Sequence, residues 1–478
     1  MEKKFFDGHK LKKGKFITPL NQIEQLKLSS WARERIPEYL WISLIIAEFG
    51  HKKGIELCCE CIQELHYLDS NIFLPKWSII IKMNDEKQYA FYKKIFDLKL
   101  EKIIAPLLVL FTYSNAPLFA RVFSNLEFNI KEFMKKIENS LELANDYQSE
   151  FSTDVRFCVV FSEFESGRIQ IQKNMEEIFL DLKDYPNLDH TNETMHMLRQ
   201  FIRSMEGVEI EAENIDYLNE FWNKVGKMTN CSLFFVDIPK ENIETQDYIM
   251  KVKSILAYHS DLMLATKPTD QKYTVLLGLS TYAYKRLIEV VEHDLFQSIS
   301  GRSCVRSIVE CSIMMKYLLD EEGNHNNIWE DYQYYGLGQY KLIVERANSA
   351  NIDLSKSHVM IDYLDILVSE FRKKDFIDMD TKYFDKKNIR LKAEQVGEKD
   401  LFDYLYDYDS AFEHALWGAV RESSLLKCDE VGHNYHCVPD LDNKIELKSV
   451  WTDCCYVMNK IIEILNNEYG CPNHLLII

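Results

Sequence analysis

Glycine and proline are scarce in this chain, 16 and 10 of 478 residues. So few turn-formers, among abundant aliphatic and aromatic residues, exclude a disordered protein and predict one built of long helices. Long apolar runs are missing too. Residues 39–49 (YLWISLIIAEF) and 105–111 (APLLVLF) are of core-helix length, well short of the roughly 20 residues of a membrane span. The first fifteen residues, MEKKFFDGHKLKKGK, carry positive charge without an apolar segment, so no secretory leader is expected. A cytoplasmic protein without membrane contact follows as the expectation.

Positive charge is in deficit. The 57 Lys and Arg stand against 75 Asp and Glu, a net charge of −18, which excludes general DNA binding through a basic surface but leaves room for a local pocket that handles RNA. The chain has no Walker-type phosphate loop, no GxGxxG and no GxSxG, so nucleotide hydrolysis and serine-esterase chemistry lose their support, and no cofactor is expected. Twelve cysteines in a chain without a leader read as reduced, mostly buried thiols.

What is present is helical periodicity. Residues 1–28 read as a basic lead-in, 29–255 as an N-terminal helical domain that recognises or regulates, and 270–478 as a C-terminal helical bundle. Lys267-Pro268-Thr269-Asp270 supplies the punctuation between the two domains. The stretch 155–172 admits two readings, a short β-hairpin turning at Glu165-Ser166-Gly167 or one helix broken at Gly167. The fold class is therefore mainly α.

The most informative stretch is 301–320, GRSCVRSIVECSIMMKYLLD. Its apolar positions run almost all the way round a helix, which places it at the centre of a bundle. Yet Arg302, Arg306 and Glu310 form one stripe along it, and charge in such a place needs a partner. Residues 400–424 offer one: Ser410, His414 and Arg421 follow helical spacing with Asp407 and Trp417. Arginine supplies a permanent cation for phosphate, and histidine titrates near neutrality and can move a proton. The plain alternative is a structural Arg306–Glu310 pair.

Arg306, Ser307 and Glu310, the aromatic set Trp329, Tyr332, Tyr334 and Tyr335, and Tyr408, Ser410 and His414 together resemble a bacterial all-helical family of unknown function that is itself similar to the HEPN superfamily. The resemblance covers about 273–468. It implies an anti-phage defence or toxin-type effector, a metal-independent endoribonuclease acting from a homodimer. In that role His414 would move the proton, Arg306 and Arg421 would hold the phosphate, and Glu310 would orient them. HEPN enzymes carry an Arg, four to six residues and then a His, a spacing His414 lacks. Arg286 and His293 do fit it, but 13 histidines and 14 arginines give about one such match by chance. The competing expectation is a non-catalytic scaffold or sensor that binds a protein partner in a defence system.

Cys428, His433, His436 and Cys437 suit zinc by residue type. Their spacing departs from the usual pair-and-pair pattern, so the expectation is a structured loop without metal, with zinc as the alternative.

Overall fold

The computed structural model describes residues 8–19, 22, 29–126, 129–168, 176–189, 191, 194–206, 214–239, 243–350, 357–370, 374–379, 384–433 and 436–476. The protein is mainly helical, with two small antiparallel sheets. It divides into two compact units: residues 1–234 with 427–437, and residues 235–426 with 438–478. The chain thus crosses between units at 234/235, ahead of the Lys267-Pro268 punctuation, and segment 427–437 packs with the first unit instead of the C-terminal bundle.

In the first unit, the predicted lead-in contains a hairpin of β1 (Lys10–Lys12) and β2 (Lys15–Ile17), with Lys10 opposite Ile17. Lys13 and Gly14 both have positive φ, 51° and 76°, the two-residue turn whose twist suits an antiparallel pair. The unit is built around the helix Ile36–Leu68, buried on every side from Ile36 to Ile46. Pro37 starts it, where a missing N–H costs nothing, and Gly50 at φ 74° breaks it.

Residues 150–165 form one helix ending before Gly167, which lies at φ 71°. Of the two readings left open for 155–172 the helix is therefore the one present, and residues 169–172 fall outside the described residues. Strand formers such as Val155, Val159 and Val160 are helical here because residues 152–160 are buried in the unit's core, and packing overrides propensity. Arg156 is completely buried in it, between the rings of Trp31 and Tyr147 at 4.0 and 3.7 Å. It pairs with Glu206, which also pairs with Arg35. That arginine is structural.

The second unit is organised on the helix Ile299–Glu321. Ser298 caps it by accepting from the Gly301 N–H at 3.0 Å. A β-carbon at Gly301 would stand 2.2 Å from the Leu295 carbonyl oxygen, so glycine is required for the chain to turn into this helix. Ile308, Val309, Ile313, Met315, Tyr317 and Leu318 are buried at 0 % exposure. They pack against the helices Gln271–Glu292 and Trp451–Tyr469. No helix among the described residues is long and apolar enough to cross a membrane.

Candidate functional site

The charged stripe of the central helix finds its partners inside the second unit. Arg306 Nε donates to Ser410 Oγ at 3.0 Å, and a second guanidinium nitrogen donates to the Tyr406 hydroxyl. Tyr406 in turn donates to Glu310 Oε2 at 3.3 Å, and Arg306 pairs directly with the same oxygen at 3.3 Å. The guanidinium also lies 4.4 Å from the centre of the Tyr406 ring, a favourable cation–π position. Burial, followed by the Glu310 charge, pushes the Tyr406 hydroxyl above its ordinary range, so it stays protonated and keeps its donor role.

One turn earlier, Arg302 is buried, with 3 % exposure. It donates to the Lys448 carbonyl at 2.6 Å, while its Nε and Nη1 have no hydrogen-bond partner among the described residues. The carboxyl of Asp409 lies nearby, 4 % exposed. Burial first, then the Asp453 charge, raise it to about 7 against the opposing pull of Arg302 and Arg306.

Beside Arg306 and Glu310 opens a cleft of about 710 Å³. Met314, Tyr332, Tyr335 and Phe384 form much of its wall. Tyr332 and Tyr335 come from the helix Ile328–Ala350 and set their rings 5.5 and 5.6 Å from Phe384. The cleft is thus an apolar, aromatic space with one ion pair in its wall, able to donate through Arg306 and accept through Glu310.

The other expected residues lie elsewhere. Residues 400–424 are not one helix: Asp407–Glu413 ends at His414, Ala415 takes φ 47°, and a new helix runs Trp417–Ser424. The Leu416 N–H closes the first helix on the Ala411 carbonyl at 2.9 Å. The face drawn through Asp407, Ser410, His414, Trp417 and Arg421 is therefore interrupted after Ser410. His414 is exposed, with no side-chain hydrogen bond or ion pair among the described residues. Arg421 donates to the Leu425 carbonyl at 2.6 Å, at the end of its own helix. Arg286 pairs with Glu289, three residues on, and His293 caps its helix through the backbone.

Tyr406 was missed. It lies on the same segment as Ser410, four residues earlier, and that i, i+4 relation was the signal that could have found it.

In the first unit Cys428, His433 and His436 come together, and the fourth member of the cluster is Cys231, not Cys437. Residues 436 and 437 run into the strand Cys437–Pro439, where neighbouring side chains point apart, so His436 and Cys437 do not share the site. Nothing in the local sequence points to Cys231, which reaches the cluster through the pairing of β3 (Leu233–Phe234) with β4 (Leu425–Cys428), Leu233 opposite Cys428.

Residues 274–434 match the sequence model of a family of unknown function, DUF5677. The curated proteins and the solved structures give no match.

Proposed function

We propose that the protein is a non-catalytic sensor or scaffold of a defence system, and that its second unit recognises a flat, nucleobase-bearing ligand, such as an RNA segment, in the cleft beside Arg306 and Glu310. The observation that carries this reading is the make-up of the cleft. Aromatic walls from Tyr332, Tyr335 and Phe384 suit a planar ring, and an arginine next to a carboxylate offers a donor and an acceptor side by side, the complement of a base edge. Because Arg306 and Glu310 neutralise each other, the site favours a base over a bare phosphate. The wider surface of a chain with net charge −18 does not attract nucleic acid, so recognition would be local.

The test is thermal stabilisation and calorimetric titration of the full chain with nucleosides, nucleotides and short single-stranded RNA. Binding by wild type, weakened about tenfold or more in Glu310→Gln and in Tyr335→Ala, is expected for hydrogen bonds and stacking of about 1–3 kcal/mol. If no probe binds, or both variants bind like wild type, the reading fails.

A second reading is a metal-independent ribonuclease, a toxin-type effector working as a homodimer as the HEPN resemblance implies. It is favoured by the hydroxyls of Ser410 and Tyr406 meeting on Arg306, with His414 one helical turn beyond Ser410. Arg306 would steady the phosphate and His414 would carry the proton. Expression of wild type and His414→Ala in a host, scored by growth and total RNA integrity, decides it: intact RNA and equal growth in both would sink the ribonuclease.

A further inference from the structure

We infer that Cys231, Cys428, His433 and His436 form a structural zinc site in the first unit. The four side chains come from two segments: Cys231 precedes β3, Cys428 ends β4, and His433 and His436 follow it. Their ligand atoms all lie within 4.8 Å of one another. Cys231 Sγ stands 3.4 Å from both His433 Nδ1 and His436 Nε2, and Cys428 Sγ stands 3.4 Å from His433 Nδ1. Zinc–sulfur bonds of about 2.3 Å and zinc–nitrogen bonds of about 2.0–2.1 Å at tetrahedral angles give a sulfur–nitrogen edge of about 3.5 Å. The three measured edges match it. The two imidazoles stand perpendicular, with ring centres 5.1 Å apart, so their lone pairs converge without the rings colliding.

The surroundings point the same way. His433 turns its other nitrogen, Nε2, to the Thr229 carbonyl at 3.2 Å. A carbonyl can only accept, so Nε2 holds the proton and Nδ1 presents its lone pair to the cluster, the arrangement that metal-bound histidines use to fix their tautomer. The loop is also anchored by its backbone: the Cys428 N–H donates to the His436 carbonyl at 2.9 Å, and the Asp429 N–H to the Ser232 carbonyl at 2.7 Å. Gly432 lets it lie against the helix Ile215–Met228, for a β-carbon there would meet Val225 Cγ1 at 2.7 Å.

Two thiols and two imidazoles make a soft, four-ligand set that selects zinc over magnesium or calcium, and four protein ligands leave no open position for a substrate. The site is therefore structural, and it ties Cys428, His433 and His436 to Cys231 within the first unit. It stands independently of the ligand cleft.

The experiment is elemental analysis of the full chain, purified in a reducing buffer without chelator. About one zinc per chain is expected in wild type. The same content is expected in Cys437→Ser, and at least a tenfold lower content in the double variant Cys231→Ser/Cys428→Ser. Because that variant could lose metal by failing to fold, metal-free wild type is also titrated with cobalt(II). Tetrahedral ligand-field bands with a thiolate charge-transfer band, abolished by one equivalent of zinc, are expected. Absence of both zinc and the cobalt spectrum in wild type overturns the site. Full zinc in the double variant, or its loss in Cys437→Ser, overturns this ligand set.

Discussion

Arg306 and Ser410, 104 positions apart, are joined by a hydrogen bond of 3.0 Å from the guanidinium Nε to the hydroxyl oxygen. Ser410→Ala removes that acceptor from a charged donor. A loss of about 1–2 kcal/mol in unfolding free energy is expected, read from the urea midpoint. The Arg306–Glu310 pair itself is about a quarter exposed on both sides, 23 % and 29 %, so water screens it. A double-mutant cycle with Arg306→Met and Glu310→Gln is expected to give a coupling of only about 0.5–1 kcal/mol; a value several times larger would mean that the pair is effectively buried.

His414 projects into solvent at the end of its helix. His414→Ala should leave stability within about 0.5 kcal/mol of wild type, measured by denaturant unfolding. The RNA-integrity comparison then reports chemistry without a confounding loss of fold. A larger destabilisation would show that the imidazole props the helix end.

Asp409 makes stability depend on pH. Burial raises its folded value to about 7 from an ordinary 3.8. Between those values the folded state holds a proton that the unfolded state has released, so stability falls as pH rises from about 4 to about 7 and then levels off. Asp453 is shifted in the same direction, chiefly by burial. Asp409→Asn should flatten this slope, with a gain on the order of a few kcal/mol at pH 8 and almost none at pH 4. Parallel slopes in variant and wild type would refute the assignment.

Glu398 titrates the other way. Burial pushes its carboxyl up, but hydrogen bonds from Lys316 and Lys460 outweigh this and hold it below its ordinary value; the Lys460 contact is 2.9 Å. A depressed folded value stabilises above the unfolded value of about 4.5, and that contribution is lost as pH falls through the folded value. Glu398→Gln is expected to cost about 2 kcal/mol at pH 7, from two lysines left without their shared anion, and much less near pH 3. Chemical unfolding at both pH values checks it.

Gly301→Ala places a methyl group against the Leu295 carbonyl, 2.2 Å away. Backbone must move to admit it, at the start of the helix that the second unit packs around. A loss of about 2–3 kcal/mol is expected. A neutral outcome would mean that the turn before this helix can open freely.

The sequence by itself determined what depends on local periodicity. Apolar positions all round 301–320 made that helix central, the Arg306–Glu310 stripe marked where a site could lie, and Ser410 was identified as its partner because helical spacing shows which side chains share a face. The mainly helical fold followed from the same signal. Tertiary structure alone decided the rest. The break at Ala415 carries no glycine, asparagine or proline to announce it, and it leaves His414 exposed at the end of one helix and Arg421 bonded to the Leu425 carbonyl at the end of the next. That 155–165 is helical was settled by burial of its valines, Phe157 and Cys158 in the first unit's core, which no β propensity could foretell. Cys231 meets His433 across 202 positions because two short strands pair. A contact at that separation depends on how the intervening chain packs, so the local sequence indicated zinc by residue type and left the fourth ligand to the fold.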